Sequence, residues 1–279
     1  MLRHVNRLRS AVYGIAIGDA LGLPVQFQSR DSYPEVTEMI KGELPWPAGT
    51  WSDDTSLTLA TVDSLLTCEG VDVPDMRARF MDWMDNGAYT QDGEAFDQGF
   101  TTVHALTHGR GCTNEQSNGN GSLMRILPLA FVKNLSDEQI AQVSGITHAH
   151  PLSVEACTMY VHAAQLILDG FSLTEALETA SLSSEIFSYL ADIGSKKRNE
   201  IRSTGYVKDS LEASFWCLLT TDNFRDALIR AVNLGDDTDT IGAITGGMAG
   251  LVYGMESVPD SWMNALRKKE IIERCLASQ

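Results

Sequence analysis

Apolar residues return every three or four positions along most of this chain, the spacing that lines one face of an α-helix. Val5, Leu8, Val12 and Ile15 share such a face near the start. Leu59, Val62 and Leu66 share another after Asp54. Val154, Cys157, Val161, Ala164 and Leu168 form a third after Pro151, a residue suited to the first position of a helix, and Gly170 stops it. Asp222 reads as the cap of FRDALIRAVNL, with Gly235 beyond its end. Leu211, Phe215 and Leu218, then Trp262 and Leu266, continue the pattern. Strand-like alternation is scarce. The pattern predicts an all-α fold in one domain over residues 1–279, without internal repeats.

Two stretches lack the helical period: QSRDSYPEVTEMIKGELPWPAG (28–49), with three prolines, and GRGCTNEQSNGNG (109–121). Loops this long inside a compact domain are usually functional or mobile. The apolar run from Ile241 to Tyr253 is too short and too rich in glycine to predict a membrane span. In the basic-then-apolar start of the chain Asp19 interrupts the apolar stretch, so a soluble amphipathic helix is expected there.

Composition narrows the partners. A net charge of −16 with no Lys/Arg-rich block argues against a nucleic acid or an anionic membrane. The five cysteines are odd in number and widely spaced, with no CxxC, which predicts free thiols in a reducing compartment and a cytoplasmic location.

The candidate chemistry lies in two acidic knots, WSDDTSL (51–57) and LGDDTDTIG (234–242). Each precedes a predicted helix, so capping by Ser, Asp or Thr explains one acid in each knot. It does not readily explain Asp53 beside Asp54, or Asp236, Asp237 and Asp239 together. If the knots meet, each like-charged pair ~4 Å apart costs roughly 4 kcal/mol at an effective dielectric near 20, unless protons or cations intervene. If they do not meet, they are two separate solvated clusters. The donors are carboxylate and hydroxyl oxygens, which suit Mg²⁺ or Mn²⁺ better than Zn²⁺. After the second knot Gly242, Gly246 and Gly250 recur every fourth residue, which predicts close packing of a neighbouring helix or of a ligand.

GIAIGDALGLPVQF (14–27), GTWSDDTSLTLA (49–60), SNGNGSLMRILPLA (117–130), ITHAHP (146–151) and NLGDDTDTIGAITGGMAGLVYG (233–254) occur in that order. Together they resemble the ADP-ribosylglycohydrolase family, over nearly the whole chain. The resemblance implies a single orthogonally packed all-helical domain and a metal-dependent hydrolase that removes ADP-ribose from a protein side chain or a small ADP-ribosyl compound. It implies a binuclear Mg²⁺ or Mn²⁺ centre held by Ser52, Asp53, Asp54, Asp237, Asp239 and Thr240, with Asp236 a helper or cap. Asp53 and Asp54 would also serve catalysis. Asn118, Gly119, Asn120, Gly121, Ser122 and Met124 would line the substrate cleft, the glycines admitting a pyrophosphate and the following residues starting a helix that faces it. His148 would join them. His150, next to Pro151, reads as a structural cap, and Arg125 as either a phosphate partner or half of a buried salt bridge.

Two departures bear on catalysis. Gln26 stands where the family pattern has a catalytic glutamate, and glutamine accepts no proton at neutral pH. In EAFDQGFTT (94–102), Phe100 replaces a polar residue. Asp97 is kept there, as a contact to the ribose or a metal ligand, or as the cap of the helix carrying Val103 and Leu106. The departures leave open a second expectation, a catalytically impaired ADP-ribose binder or an antagonist of an ADP-ribosyltransferase.

Overall fold

The computed structural model of the chain describes residues 2–43 and 45–277. The helical period is realised as α1 (Val5–Gly22), α2 (Asp53–Thr67), α3 (Val73–Asn86), α4 (Phe100–His108), α5 (Asp137–Ser144), α6 (Pro151–Leu168), α7 (Leu173–Leu182), α8 (Val207–Leu219), α9 (Phe224–Val232), α10 (Thr238–Tyr253), α11 (Asp260–Ala265) and α12 (Lys269–Leu276). Short 3₁₀ turns join several of them. Among the described residues there is no strand, only isolated bridges such as Cys112 with His148 and Gly119 with Tyr206. One contiguous hydrophobic core, reaching from Leu8 to Cys275, is built on α1, α2, α6, α8 and α10. No helix is long and apolar enough to cross a membrane among the described residues.

Local signals account for most helix ends. Ser136 and Ser172 form capping boxes with Gln139 and Glu175 at the starts of α5 and α7. His150 caps α6: its Nδ1 accepts from the Leu152 amide at 3.1 Å. At α9 the expected cap is off by one residue. Asn223, not Asp222, accepts from the Asp226 amide through its side chain. Asn233 then takes the C-cap, two residues before Gly235.

The centre of the fold is the antiparallel crossing of α1 and α10. A β-carbon on Gly14 would lie 2.0 Å from the Gly246 carbonyl oxygen, and one on Gly18 would lie 1.9 Å from that of Gly242. Gly22 faces Thr238 and Gly250 faces Ser10 at similar range. The glycines therefore serve helix–helix approach, backbone against backbone. Helices α1 and α10 are drawn almost wholly into the interior, with buried residues on every face.

Of the two segments without helical period, residues 28–49 carry no regular element among the described residues, and residues 109–121 carry only the 3₁₀ turn Glu115–Ser117. The first is pinned by the stacking of Trp46 on Phe96, ring centroids 4.2 Å apart, and by Tyr33, whose hydroxyl donates to the Val232 carbonyl at 2.8 Å.

The crossing makes a stability prediction. Replacing glycine by alanine inside a helix gains about 1 kcal/mol of intrinsic propensity. At Gly18 the added methyl must separate two backbones, and overpacking of this kind costs about 1–3 kcal/mol or more. Gly18→Ala is expected to lower the urea midpoint with an unchanged slope; a raised midpoint would show that the helices do not approach so closely.

Candidate active site

The first acidic knot forms the start of α2. Ser52 is its N-cap, and the Ser52 hydroxyl donates to Asp54 Oδ2 at 3.1 Å. Asp53 and Asp54 occupy the first turn of the helix, where the positive end of the helix dipole favours negative charge. The second knot forms the start of α10, with Asp237 as N-cap and Asp239 in the first turn. Because α1 and α10 cross so closely, the two helix starts converge. Thr240 Oγ1 donates to Asp54 Oδ2 at 3.4 Å across 186 positions of sequence. One carboxylate oxygen from each of Asp19, Asp54 and Asp239 lies within 4.8 Å of the others.

Asp19 was not expected at this site from the sequence, although the break it makes in an apolar helix was visible. It is fully buried, and its oxygens accept from the Ser52 amide at 2.9 Å, the Thr55 amide at 3.1 Å and the Thr55 hydroxyl at 2.6 Å. Its role follows from those partners: it moors the start of α2 to α1. Asp236, by contrast, is exposed, with φ of 58°, and takes no part in the cluster.

Above the acids opens a cavity of about 340 Å³. Asp53, Asp97, Asp237 and Thr240 line it together with Gly119, Asn120, Gly121, Met124 and His148. Asn120 ties the glycine loop to the second knot, its amide donating to Asp237 Oδ2 at 2.6 Å. Asp97 reaches the cluster from the segment before α4, and Asp239 and Gln26 are near enough to act on its proton affinity. Asp97 is not the cap of α4, a position held by Gly99. Its φ of 58° is one that a non-glycine residue adopts at a cost of about 1–3 kcal/mol.

Several expected cleft residues are placed elsewhere. Asn118 is buried beside the cavity and binds Ser153 and the Glu115 carbonyl. Ser122 lies beneath the cavity floor in a hydroxyl–thiol cluster with Ser144 and Cys157. No long helix follows the glycine loop; Leu123–Arg125 is a single 3₁₀ turn, so a helix dipole contributes little there. Arg125 is fully buried and meets neither a phosphate-facing wall nor a carboxylate. It stacks 4.5 Å above the Phe80 ring and donates to the Val143 carbonyl and to Thr147 Oγ1. Thr147 Oγ1 in turn lies 2.8 Å from His148 Nδ1 and holds the ring in place. Burial, with the Arg125 charge nearby, pushes His148 down to about 3, so the ring is neutral.

The carboxylates are held in the opposite sense. Burial raises Asp53, Asp54 and Asp239 well above the ordinary range, and neighbouring acids raise them further. Burial also raises Asp237, against its hydrogen bond from Asn120, and raises Asp97. Asp19 is pushed up to about 7 by burial, against four hydrogen bonds. Asp54 Oδ1 and Gln26 Oε1 are buried without a hydrogen-bond partner. A concentration of oxygen donors with raised proton affinity and an unpaired carboxylate oxygen is the environment that a hard divalent cation neutralises.

The chain is similar to known proteins over nearly its whole length. The sequence profile described as ADP-ribosylglycohydrolase matches residues 2–279. A protein of Serratia proteamaculans named ADP-ribosylarginine hydrolase Tri1 is 33% identical over 290 residues, covering 99% of this chain and 79% of its own length. The ADP-ribosyl-[dinitrogen reductase] glycohydrolase of Rhodospirillum rubrum is 29% identical, covering 98% and 94%. A solved structure titled ADP-ribosylglycohydrolase-related protein complex superposes with a TM-score of 0.81 at 30% identity, covering 98% of this chain and 97% of that one.

The raised acids predict a pH dependence of stability in the presence of a chelator. A carboxylate with a higher pKa folded than unfolded binds more protons in the folded state, so its stabilisation is lost as pH rises through the folded value. His148 has the opposite sign, but above about 6.5 it is neutral folded and unfolded alike. Between pH 6.5 and 8.5 the thermal midpoint is therefore expected to fall by several degrees. A flat midpoint over that range would contradict the buried, mutually repelling cluster.

Proposed function

The chain belongs to the ADP-ribosylglycohydrolase family, and from that premise we propose that it hydrolyses the glycosidic bond between ADP-ribose and an acceptor side chain, with arginine as the acceptor. The observation that carries the proposal is the convergence of the starts of α2 and α10 on one cavity that a glycine loop also lines. The choice of arginine rests on the printed name of the Serratia relative.

The donor set fits two divalent cations, Mg²⁺ or Mn²⁺, held by Ser52, Asp53, Asp54, Asp237, Asp239 and Thr240. When bound, the cations neutralise the acids and supply Lewis-acid stabilisation of oxygen atoms. The remaining work falls to the chain's own groups. Gly119 and Gly121 let the backbone approach a diphosphate, and the neutral His148 ring lines the cavity beside them. Asn120 fixes the orientation of Asp237. The carboxylates favour the positive charge that develops at the anomeric carbon. Asp53 and Asp97 both line the cavity, and both have raised proton affinity, so either suits acceptance of a proton from the attacking water. Gln26 lies beside Asp97 and opposes part of the rise in its proton affinity. Proton acceptance therefore does not need a carboxylate at position 26, and the reading as an impaired binder loses its main support.

Incubation with ADP-ribosyl-arginine and Mg²⁺ or Mn²⁺ is expected to release ADP-ribose, and a chelator is expected to stop it. Asp97→Asn is expected to lower kcat by about 10²–10⁴ with the fold intact, whereas Gln26→Glu changes kcat by less than about tenfold. No release by the folded, metal-supplied protein would overturn the proposal, and a large gain in Gln26→Glu would move proton acceptance to that position.

A further inference from the structure

Two phenylalanines at the mouth of the cavity lie outside the hydrophobic core, Phe100 meeting only the His104 ring at 5.9 Å between centroids among aromatic contacts of the described residues. Phe27 is 71% exposed and Phe100 86% exposed, yet both line the cavity above the acids. Phe27 also carries a φ of 62°, a left-handed conformation that bulky residues seldom adopt. It is held there by its own amide, which donates to the Asp236 carbonyl at 2.6 Å, and by the Asp236 amide, which donates to the Gln28 carbonyl at 2.8 Å. An exposed aromatic ring on a strained backbone is maintained against two costs, which is the signature of a contact made with something outside the chain.

Their positions say which part of a substrate they meet. Phe27 follows Gln26 directly and bonds to the residue beside Asp237; Phe100 opens α4 three positions after Asp97. By chain position both rings thus neighbour the carboxylates Asp97 and Asp237, where the scissile bond would lie, although the first turn of α4 also borders the glycine loop through Thr102 and Gly121. Among the described residues, no lysine or arginine lines the cavity. A planar, weakly hydrated cation is drawn both to aromatic faces and to a floor of carboxylates, and a guanidinium has both properties.

We propose that Phe27 and Phe100 form an acceptor subsite that selects a guanidinium leaving group through its face, making them specificity-determining residues for arginine-linked ADP-ribose. The proposal rests on the hydrolase reading above. The rings touch the part of the substrate that departs and act on its binding, with no part in proton transfer.

The test compares ADP-ribosyl-arginine, an ADP-ribosyl-serine peptide and free ADP-ribose on the full chain and on Phe27→Ala, Phe100→Ala, the double variant and a Phe100→Tyr control. The double variant is expected to lose about tenfold in the ratio of kcat/KM for the arginine-linked over the serine-linked substrate, chiefly through KM, with Phe100→Tyr retaining the preference. Its Kd for ADP-ribose, read by calorimetry, is expected to move less than about twofold. A matching loss in ADP-ribose affinity would assign the rings to the adenine base and overturn the proposal, as would an unchanged ratio. If the unmodified chain hydrolyses neither substrate, the functional reading fails. The comparison is then made on Kd values, and no tighter binding of the arginine-linked compound than of free ADP-ribose overturns this inference as well.

Discussion

An α-carbon without a β-carbon lets two helices approach until their backbones touch, and α1 and α10 are in that contact over most of their length. The crossing fixes more than the core. Asp19 rides on α1, the second acidic knot heads α10, and Asp19 in turn receives the amides that begin α2. Three helix segments, two of them separated by most of the chain, thereby acquire one relative placement. Loosening the glycine contact would move the carboxylates apart before it disturbed any of them singly.

That placement is electrostatically unfavourable on its own. Six aspartates, Asp19, Asp53, Asp54, Asp97, Asp237 and Asp239, share a largely buried region, and every one of them has its pKa raised. The helix starts and the hydroxyls of Ser52, Thr55 and Thr240 offset part of the repulsion. The rest is a standing affinity for positive charge directed into the cavity. The same polarity bears on a cationic acceptor and on the positive charge that develops at a reacting sugar carbon, so binding and chemistry draw on one source of potential.

The fold class was legible because helical period survives in sequence, and the helix starts because Ser, Asp and Pro mark them locally. The meeting of the knots was not decidable from spacing, since it depends on which glycine faces which helix; the ordered motifs supplied it only through resemblance. Misplacements have local causes. Asn118 and Ser122 sit in a run that looks uniformly suited to a phosphate, but only residues 119–121 and Met124 turn toward the cavity. Arg125 was weighed between two charged partners and has neither, because an aromatic face and a threonine serve a buried guanidinium. For Asp97 the sequence offered a cleft contact or a helix cap; Gly99 holds the cap, and Asp97, on a left-handed backbone, lines the cavity. Asp19 was noticed only as an interruption, because a buried acid's meaning lies in partners that are distant in sequence.

The relay from Arg125 through Thr147 to His148 sets the character of the histidine that shares the cavity with the acids. A guanidinium that keeps its charge at neutral pH orients a hydroxyl, the hydroxyl orients an imidazole, and burial keeps that imidazole uncharged. The cleft is accordingly asymmetric in its response to acidity: the histidine is neutral and indifferent to protons over the physiological range, while the acids are a reservoir that takes them up. Occupancy by an anion can be steady beside the histidine while the charge of the acids is reset.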